Sequence, residues 1–97
     1  MTESETQRQI LKYLEINPKV VIAVRVNSGG HRGRMRGAPK GTPDILGQLK
    51  NGCFLAIEVK DGKKEATPKQ QEFLDKVNNN GGLAFVARSL EDVEAKL

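Results

Sequence analysis

The spacing of apolar positions along the chain predicts a helix, then three strands, then a helix, a strand and a helix. Residues 3–14 place Ile10 and Leu14 at helical spacing behind Thr2 and Ser4, either of which can cap the first turn. A first helix is therefore predicted here, and it ends before the next proline.

Four short apolar runs predict strands, at residues 20–26, 44–49, 53–60 and 83–87. The first run is β-branched almost throughout, which is typical of a strand covered on both faces. Asn51-Gly52 lies between the second and third runs, and both residues tolerate the positive φ of a hairpin turn, so these strands are expected to pair antiparallel.

Two more helices are predicted in the second half of the chain. Thr67-Pro68 combines a cap with a proline at the first helical position, and Ser89 opens a capping arrangement for a last helix to Leu97. The helix after Thr67 connects two strands, and a right-handed crossover of this kind joins parallel strands. The predicted fold is a single α/β domain over residues 1–97, α-β-β-β-α-β-α, with helices flanking a four-stranded mixed sheet.

Composition narrows the functional class. Apolar residues make up 37% of the chain and charged residues 29%, as in an ordinary globular domain, and no apolar run reaches membrane-spanning length. The beginning of the chain lacks the pattern of a secretory signal, so a cytoplasmic protein with no membrane partner is expected. The single cysteine, Cys53, lies in an apolar run and is interpreted as a small buried residue.

Positive charge is concentrated in one segment. Residues 16–43 contain six lysines and arginines and no acid, whereas residues 61–97 balance seven acids against six bases. The centre of the basic segment is glycine-rich and too long for a simple turn. This pattern favours a loop that binds the phosphate backbone of a nucleic acid; the alternative is a merely solvated loop.

Two acids and a lysine are expected on one face of the predicted hairpin. Side chains two residues apart in a strand project to the same side, so Glu58 and Lys60 share a face while Val59 points to the opposite one. Asp44 begins the neighbouring strand directly after Pro43, which brings a second carboxylate near the first.

The register of the hairpin decides which face Asp44 occupies. A two-residue Asn51-Gly52 turn pairs Asp44 with Val59 and directs its carboxylate to the wrong face. A three-residue loop with Gly52 in a left-handed bulge pairs Asp44 with Glu58 instead. A shared site therefore predicts a bulge at Gly52 or an equivalent irregularity near Asp44.

A carboxylate pair of this kind points to a bound divalent cation. Two neighbouring carboxylates repel each other as anions, and a cation between them removes the repulsion. Mg²⁺ or Mn²⁺ suits oxygen ligands and assists phosphate hydrolysis by polarising the phosphate and activating a water. Lys60 would orient that water or neutralise developing charge. The plainer alternative is an ordinary surface ion pair, because Glu-x-Lys is common on strands.

The ordered motifs of the chain resemble those of one nuclease family. Pro43-Asp44, followed after thirteen residues by Glu58-Val59-Lys60, is similar to the Pro-Asp…(Asp/Glu)-x-Lys signature of the restriction-endonuclease-like superfamily. Further segments resemble the VRR-NUC family in the same order and cover nearly the whole chain: Asn27-Ser28-Gly29-Gly30, the basic loop, Lys40-Gly41-Thr42-Pro43-Asp44, Thr67-Pro68-Lys69-Gln70 and Gly81-Gly82.

This resemblance implies a restriction-endonuclease-like fold and a metal-dependent endonuclease that hydrolyses DNA. It implies Asp44, Glu58 and the Val59 carbonyl as metal ligands and Lys60 as the catalytic lysine. Stand-alone members similar to this chain are associated with viruses and resemble Holliday junction resolvases. A branched DNA substrate such as a four-way junction and a homodimer follow as expectations.

Two helix residues complete the site that the resemblance implies. A family glutamine in the helix after the signature corresponds to Gln70 rather than Gln71, because it follows Thr-Pro-x; there it would reach a phosphate or would simply be solvated. The superfamily often adds an acid from the first helix as a metal ligand. Glu3 is the candidate because it shares the sheet-facing stripe of Ile10, and Gln7 stands where related enzymes keep a glutamate.

The basic segment supplies the expected nucleic-acid contacts, and His31 within it is interpreted as a phosphate contact or a solvated residue. A second function remains open: a non-catalytic DNA- or RNA-binding module that uses the arginine-rich loop. The residues expected to contact nucleic acid are Ser28, Arg32, Arg34, Arg36 and Lys40.

Overall fold

Helices and strands follow one another in the order that the sequence predicts. The computed structural model describes residues 1–26 and 37–97 of the chain. Its elements are α1 (Glu3–Ile16), β1 (Val20–Arg25), β2 (Ile45–Leu49), β3 (Phe54–Val59), α2 (Pro68–Asn79), β4 (Leu83–Ala87) and α3 (Leu90–Lys96). The strands form one sheet in the order β1-β2-β3-β4, in which only β3 and β4 are parallel. The predicted mixed sheet and its crossover are confirmed.

Polar caps set where each helix begins. The Thr2 hydroxyl accepts a hydrogen bond from the Glu5 N–H (3.1 Å), and Glu5 in turn accepts from the Thr2 N–H (2.8 Å), which completes a capping box at α1. Thr67 caps α2, with proline following at the first helical position, and Ser89 caps α3. Each cap satisfies backbone N–H groups that have no partner within the helix.

The β2–β3 hairpin has the register that a shared site requires. Ile45 stands opposite Ile57, and the Leu49 N–H donates to the Cys53 carbonyl (2.9 Å), so three residues form the loop. Gly52 has a φ of 93°, in the left-handed region. The predicted glycine bulge is confirmed.

The two faces of the sheet bury different cores. On the α1 face, helices α1 and α3 cover a large apolar cluster that includes Ile10, Ile57 and Val93, all fully buried. On the α2 face, helix α2 packs on β3 and β4 through Leu74 and Ala84. Among the described residues, no helix is long and apolar enough to cross a bilayer.

The first strand differs from the prediction. It was expected to be covered on both faces, but β1 is an edge strand, and Val21, Ile22 and Val24 are 59%, 55% and 48% exposed. Ile22 and Val24 are exposed because α2 packs on the two strands that it connects, β3 and β4. Val21 lies at an irregularity in the register of β1 with β2. An apolar groove of about 260 Å³ remains on the α2 face, lined by Ile22, Val24, Leu46, Gly47, Gln48 and Phe54.

The opposite edge of the sheet is protected. The Asn78 side chain accepts from the Ala84 N–H (2.8 Å) and donates to the Ala84 carbonyl (2.9 Å). One residue of α2 therefore occupies the outward backbone groups of Ala84, as a neighbouring strand would.

Candidate active site

Asp44, Glu58 and Lys60 come together on the α2 face, near the end of β3. Continuing the register one pair beyond Ile45 and Ile57 places Asp44 opposite Glu58. Lys60 projects to the same side, and its Nζ lies 3.6 Å from Glu58 Oε2. The two acids and the lysine expected from strand periodicity are thus neighbours.

Pro43 removes one backbone hydrogen bond between the strands beside Asp44. Leu49 and Cys53 are a hydrogen-bonded pair, and in antiparallel strands such pairs recur at every second residue. Ile45 and Ile57 belong to this series, and the next pair, just beyond β2, is Pro43 with Val59. Proline has no N–H to donate to the Val59 carbonyl. The Val59 N–H donates instead to Asp44 Oδ2 (2.9 Å). Because the N–H and C=O of a residue share one side of a strand, the Val59 carbonyl is directed to the side on which Asp44 lies.

Glu58 is a buried carboxylate in unfavourable surroundings. It is 3% exposed, and within the described part of the chain its Oε1 has no hydrogen-bond partner. Burial, together with the negative charge of Asp44, raises the pKa of Glu58 from its ordinary 4.5 to about 7, against the smaller opposing effect of Lys60. An unsatisfied buried carboxylate costs several kcal/mol in principle, so this arrangement needs a positive ligand or a proton.

A hard divalent cation fits these groups. Asp44, Glu58 and the Val59 carbonyl offer oxygen atoms only, and the Glu58 oxygen without a partner is the kind of donor that a cation satisfies. Among the residues described, no cluster of three or more His, Cys, Asp or Glu side chains is assembled. Two carboxylates and a carbonyl suit an ion that retains several waters, as Mg²⁺ does.

Lys60 is held at its backbone as well as by its ion pair. Its N–H donates to the Ala87 carbonyl of β4 (3.0 Å), and its side chain is 14% exposed. The ammonium group is therefore partly shielded from water and lies beside the carboxylate pair, where a phosphate bound to a cation would approach.

Comparison with known proteins identifies the family. Residues 3–91 match the family model of the VRR-NUC domain. The chain belongs to the VRR-NUC family. Its fold is similar to that of a solved structure described as a VRR_NUC domain protein, with a TM-score of 0.61 and 21% sequence identity over 98% of this chain and 84% of that one. No curated protein matches the sequence. The resemblance drawn from the motifs is confirmed, and the chain is a nuclease-type domain.

In this VRR-NUC domain Gln70 completes the cap of α2. Its Oε1 accepts from the Thr67 N–H (2.9 Å), while its own N–H donates to the Thr67 hydroxyl (3.2 Å). The Gln71 side chain lies elsewhere and donates to Asp75 (2.9 Å). The spacing Thr-x-x-Gln is a capping-box signal, and it could have indicated this role from the sequence. A phosphate contact of Gln70 stays a prediction.

Gly41 brings the segment before Asp44 against the first turn of α2. Its φ is 92°, and a Cβ at this position would stand 2.9 Å from the Lys69 carbonyl oxygen. Only glycine permits both the conformation and this approach. Lys40, next to it, is exposed in the same turn, as a nucleic-acid contact would require.

The structure does not bring Glu3 to the carboxylate pair. Glu3 Oε2 accepts a hydrogen bond from the Asp61 N–H (3.0 Å) and lies 3.7 Å from Lys64 Nζ. Gln7, one turn further along α1, is buried. The helical spacing of Glu3 with Ile10 correctly predicted that Glu3 faces the sheet side of α1. The group that it contacts there is the backbone of Asp61, directly after Lys60.

The remaining predicted contacts fall on residues 27–36 and lie outside the described part of the chain. They are Ser28, His31, Arg32, Arg34 and Arg36. Their assignment to nucleic-acid binding stays a prediction from the sequence.

Proposed function

We propose that this VRR-NUC domain is an endonuclease that hydrolyses DNA phosphodiester bonds with Mg²⁺ or Mn²⁺. Its protein ligands would be Asp44, Glu58 and the Val59 carbonyl. The observation that carries the proposal is the buried Glu58 oxygen without a hydrogen-bond partner, opposite a second carboxylate. A domain that only binds nucleic acid gains nothing from such a pair, because a buried carboxylate beside a half-buried one repels phosphate and destabilises the fold.

The side chains around the pair have distinct tasks. A bound divalent cation supplies Lewis acidity to the phosphate and lowers the pKa of a water. Lys60 donates from its ammonium group to a phosphate oxygen or to the attacking water, at a position fixed by Glu58. The Val59 N–H holds Asp44 in one orientation, so the ligand atom is positioned before substrate arrives. By the resemblance to the superfamily, in-line attack of a water on phosphorus would break the P–O3′ bond and leave a 5′-phosphate and a 3′-hydroxyl.

The preferred substrate under this proposal is branched DNA, cut by a homodimer. Within residues 1–26 and 37–97, no strand pairs with the outer edge of β1, and this edge supports a second copy as the partner. Val26 donates its N–H inward to the Asp44 carbonyl (2.7 Å), so Ala23 and Arg25 direct their backbone groups outward. A two-fold axis at Ala23 would set Ile22 beside Val24 of the second copy and join two apolar grooves. Both sites would then lie on one face of a continuous sheet.

The test uses purified protein with Mg²⁺ or Mn²⁺ on linear duplex, flap, single-stranded and four-way junction DNA. We expect metal-dependent cutting that EDTA stops and that Lys60→Ala reduces by about 10² or more. Lys63→Ala removes an exposed lysine from the segment that follows and serves as the matched control. Binding without cutting under every metal condition would favour the alternative, a DNA- or RNA-binding module.

A further inference from the structure

The exposed segment that follows Lys60 is tied to two distant parts of the chain. Residues 61–65 connect β3 towards α2, and all of them are exposed. Such a segment has little burial of its own to hold it. Glu3 at the beginning of α1 and Arg88 at the end of β4 both contact it.

Arg88 binds the segment at three points. Its Nε donates to the Gly62 carbonyl (3.0 Å), and its Nη2 donates to the Lys64 carbonyl (2.6 Å) and lies 3.3 Å from Glu65 Oε1. The planar guanidinium thus spans the turn in which the Lys64 N–H donates to the Asp61 carbonyl. Arg88 is itself anchored to α3, because its N–H donates to Asp92 Oδ2 (2.8 Å).

Glu3 acts one residue after the lysine. It accepts the Asp61 N–H, which belongs to the peptide unit that follows Lys60. The Lys60 N–H, on the preceding peptide unit, donates to Ala87. The two peptide units that flank the Lys60 Cα are therefore both fixed, one by the sheet and one by α1.

These contacts matter because Lys60 is the last site residue before the chain leaves the sheet. A hydrogen bond at an exposed site contributes little to stability. A misplacement of about 1 Å at a reacting group, by contrast, can cost about 10² in rate. A contact of this kind is therefore better detected in the rate of cleavage than in the free energy of unfolding.

We propose that Glu3 and Arg88 are positioning residues that hold the segment after Lys60, and that Glu3 acts through the Asp61 N–H and is not a metal ligand. This inference rests on the proposed function, because Lys60 is the group it positions. It goes beyond that function by replacing the role of Glu3 expected from the resemblance.

Glu3→Gln and Glu3→Ala separate the two roles of Glu3. Glutamine keeps an oxygen that can accept the Asp61 N–H, so we expect Glu3→Gln to retain kcat within about twofold, whereas Glu3→Ala lowers kcat about tenfold. The Mg²⁺ concentration at half-maximal rate should stay the same in both. Glu15→Ala removes an exposed acid from the other end of α1 and is the matched control.

A metal-ligand role gives the opposite pattern. If Glu3→Gln were as inactive as Glu3→Ala, with a raised Mg²⁺ requirement, the inference would be overturned. It would equally be overturned if Glu3→Ala had wild-type kcat.

Arg88 is tested by Arg88→Lys and Arg88→Ala. A lysine cannot span Gly62 and Lys64 as the guanidinium does, so both variants should lower kcat, by about three- to tenfold, with little change in the KM for DNA. The double variant Glu3→Ala/Arg88→Ala should fall short of the product of the single effects, because both residues hold one segment. Independent multiplication of the two effects would contradict a shared task.

Hydrogen exchange distinguishes this inference from the proposed function. The Lys60 amide donates to Ala87 and does not contact Glu3. Its exchange should nevertheless become faster in Glu3→Ala and stay slow in Glu3→Gln, because the positioning passes through the Lys60 backbone. If the wild-type protein cut no DNA, the proposed function would fail while this measurement still decided the positioning. Unchanged Lys60 exchange in Glu3→Ala would overturn it.

Discussion

The Val59 N–H holds the Asp44 carboxylate at 2.9 Å, while the Val59 side chain is 1% exposed on the other face of the sheet. One residue therefore links the hydrophobic core to the site. Its side chain fixes β3 in the core under α1 and α3, and its backbone fixes the orientation of Asp44. The carboxylate is placed by the fold itself, without dependence on a flexible loop.

This relationship predicts the effect of Asp44→Asn. The amide oxygen can still accept the Val59 N–H, and the repulsion with Glu58 is removed, so the melting temperature should stay the same or rise. Metal-dependent cleavage should fall by about 10² or more, because a charged ligand is lost. Single-turnover cleavage and thermal denaturation of the same preparation measure both. A large drop in melting temperature would contradict the assignment of this residue to chemistry.

The raised pKa of Glu58 predicts how the metal-free protein responds to pH. The folded state holds this proton more tightly than the unfolded state, since the pKa rises from 4.5 to about 7. The contribution of Glu58 to stability is therefore fully present below pH 4.5 and is lost as pH rises towards and through 7. Because the pKa of Glu58 is raised, the metal-free wild type should be less stable at pH 8 than a variant with an uncharged side chain at position 58.

Glu58→Gln is the variant that isolates this effect. At pH 8 without metal it should melt several degrees above the wild type, since about 1 kcal/mol corresponds to about 4–8 °C in a domain of this size. The difference should shrink as the pH is lowered towards 4.5. The capping box at Thr2 lowers the pKa of Glu5, so Glu5 makes the protein less stable at low pH. This effect is the same in the wild type and in Glu58→Gln, and it cancels when their melting temperatures are compared. Mg²⁺ should raise the melting temperature of the wild type only.

Two glycines with nearly equal positive φ angles form a matched pair of tests. Gly41 and Gly52 have φ values of 92° and 93°. A Cβ at Gly52 meets nothing within 4 Å, whereas at Gly41 it meets the backbone of Lys69. Gly52→Ala should cost only backbone strain, about 1–2 kcal/mol, and keep the activity of the folded protein. Gly41→Ala should destabilise more and also lower kcat, because it displaces α2 from the segment that leads into Asp44.

Chemical denaturation and cleavage assays on the two glycine variants check this prediction. Equal losses of stability and equal activities would mean that the contact between Gly41 and Lys69 is not tight in solution.

The proposed interface along β1 predicts a dimer that one added charge disrupts. Val24→Glu should shift the protein from dimer to monomer in light scattering, because it buries a carboxylate among apolar groups in the proposed interface. Ile16→Glu changes another exposed apolar residue, 82% exposed at the end of α1, and should leave the dimer intact. A wild-type monomer at all concentrations, or equal disruption by both variants, would rule out this edge as the interface.

The hairpin could be predicted from the sequence because the number of loop residues fixes which residues face each other. Side chains alternate in a strand, so the number of loop residues decides whether Asp44 and Glu58 share a face, and Gly52 is a residue that permits the odd-numbered loop. This alternation left two registers open, and the requirement that Asp44 and Glu58 share a face selected the one that the structure has. Of the candidate site residues, Glu58 and Lys60 follow from strand alternation alone, whereas Asp44 joins them only in that register.

Features that depend on contacts between distant elements were not predictable in this way. Composition suggested that β1 is covered on both faces, but coverage depends on how far α2 reaches across the sheet. The stripe on α1 gave the direction of Glu3 without the path of the segment it meets. Arg88 follows a strand with no local signal, so its three contacts to the same segment were missed.

The loop that Gly52 closes also makes the chemistry local along the chain. Asp44 and Val59 are fifteen residues apart, and everything between them is a single hairpin. Hairpins close within about 1–10 μs, long before a sheet with a crossover is complete. The groups proposed to hold the metal can thus meet early in folding, before α2 packs on β3 and β4. A circularly permuted chain with its new ends between β4 and α3 would therefore still carry Asp44, Glu58 and Val59 on one continuous segment.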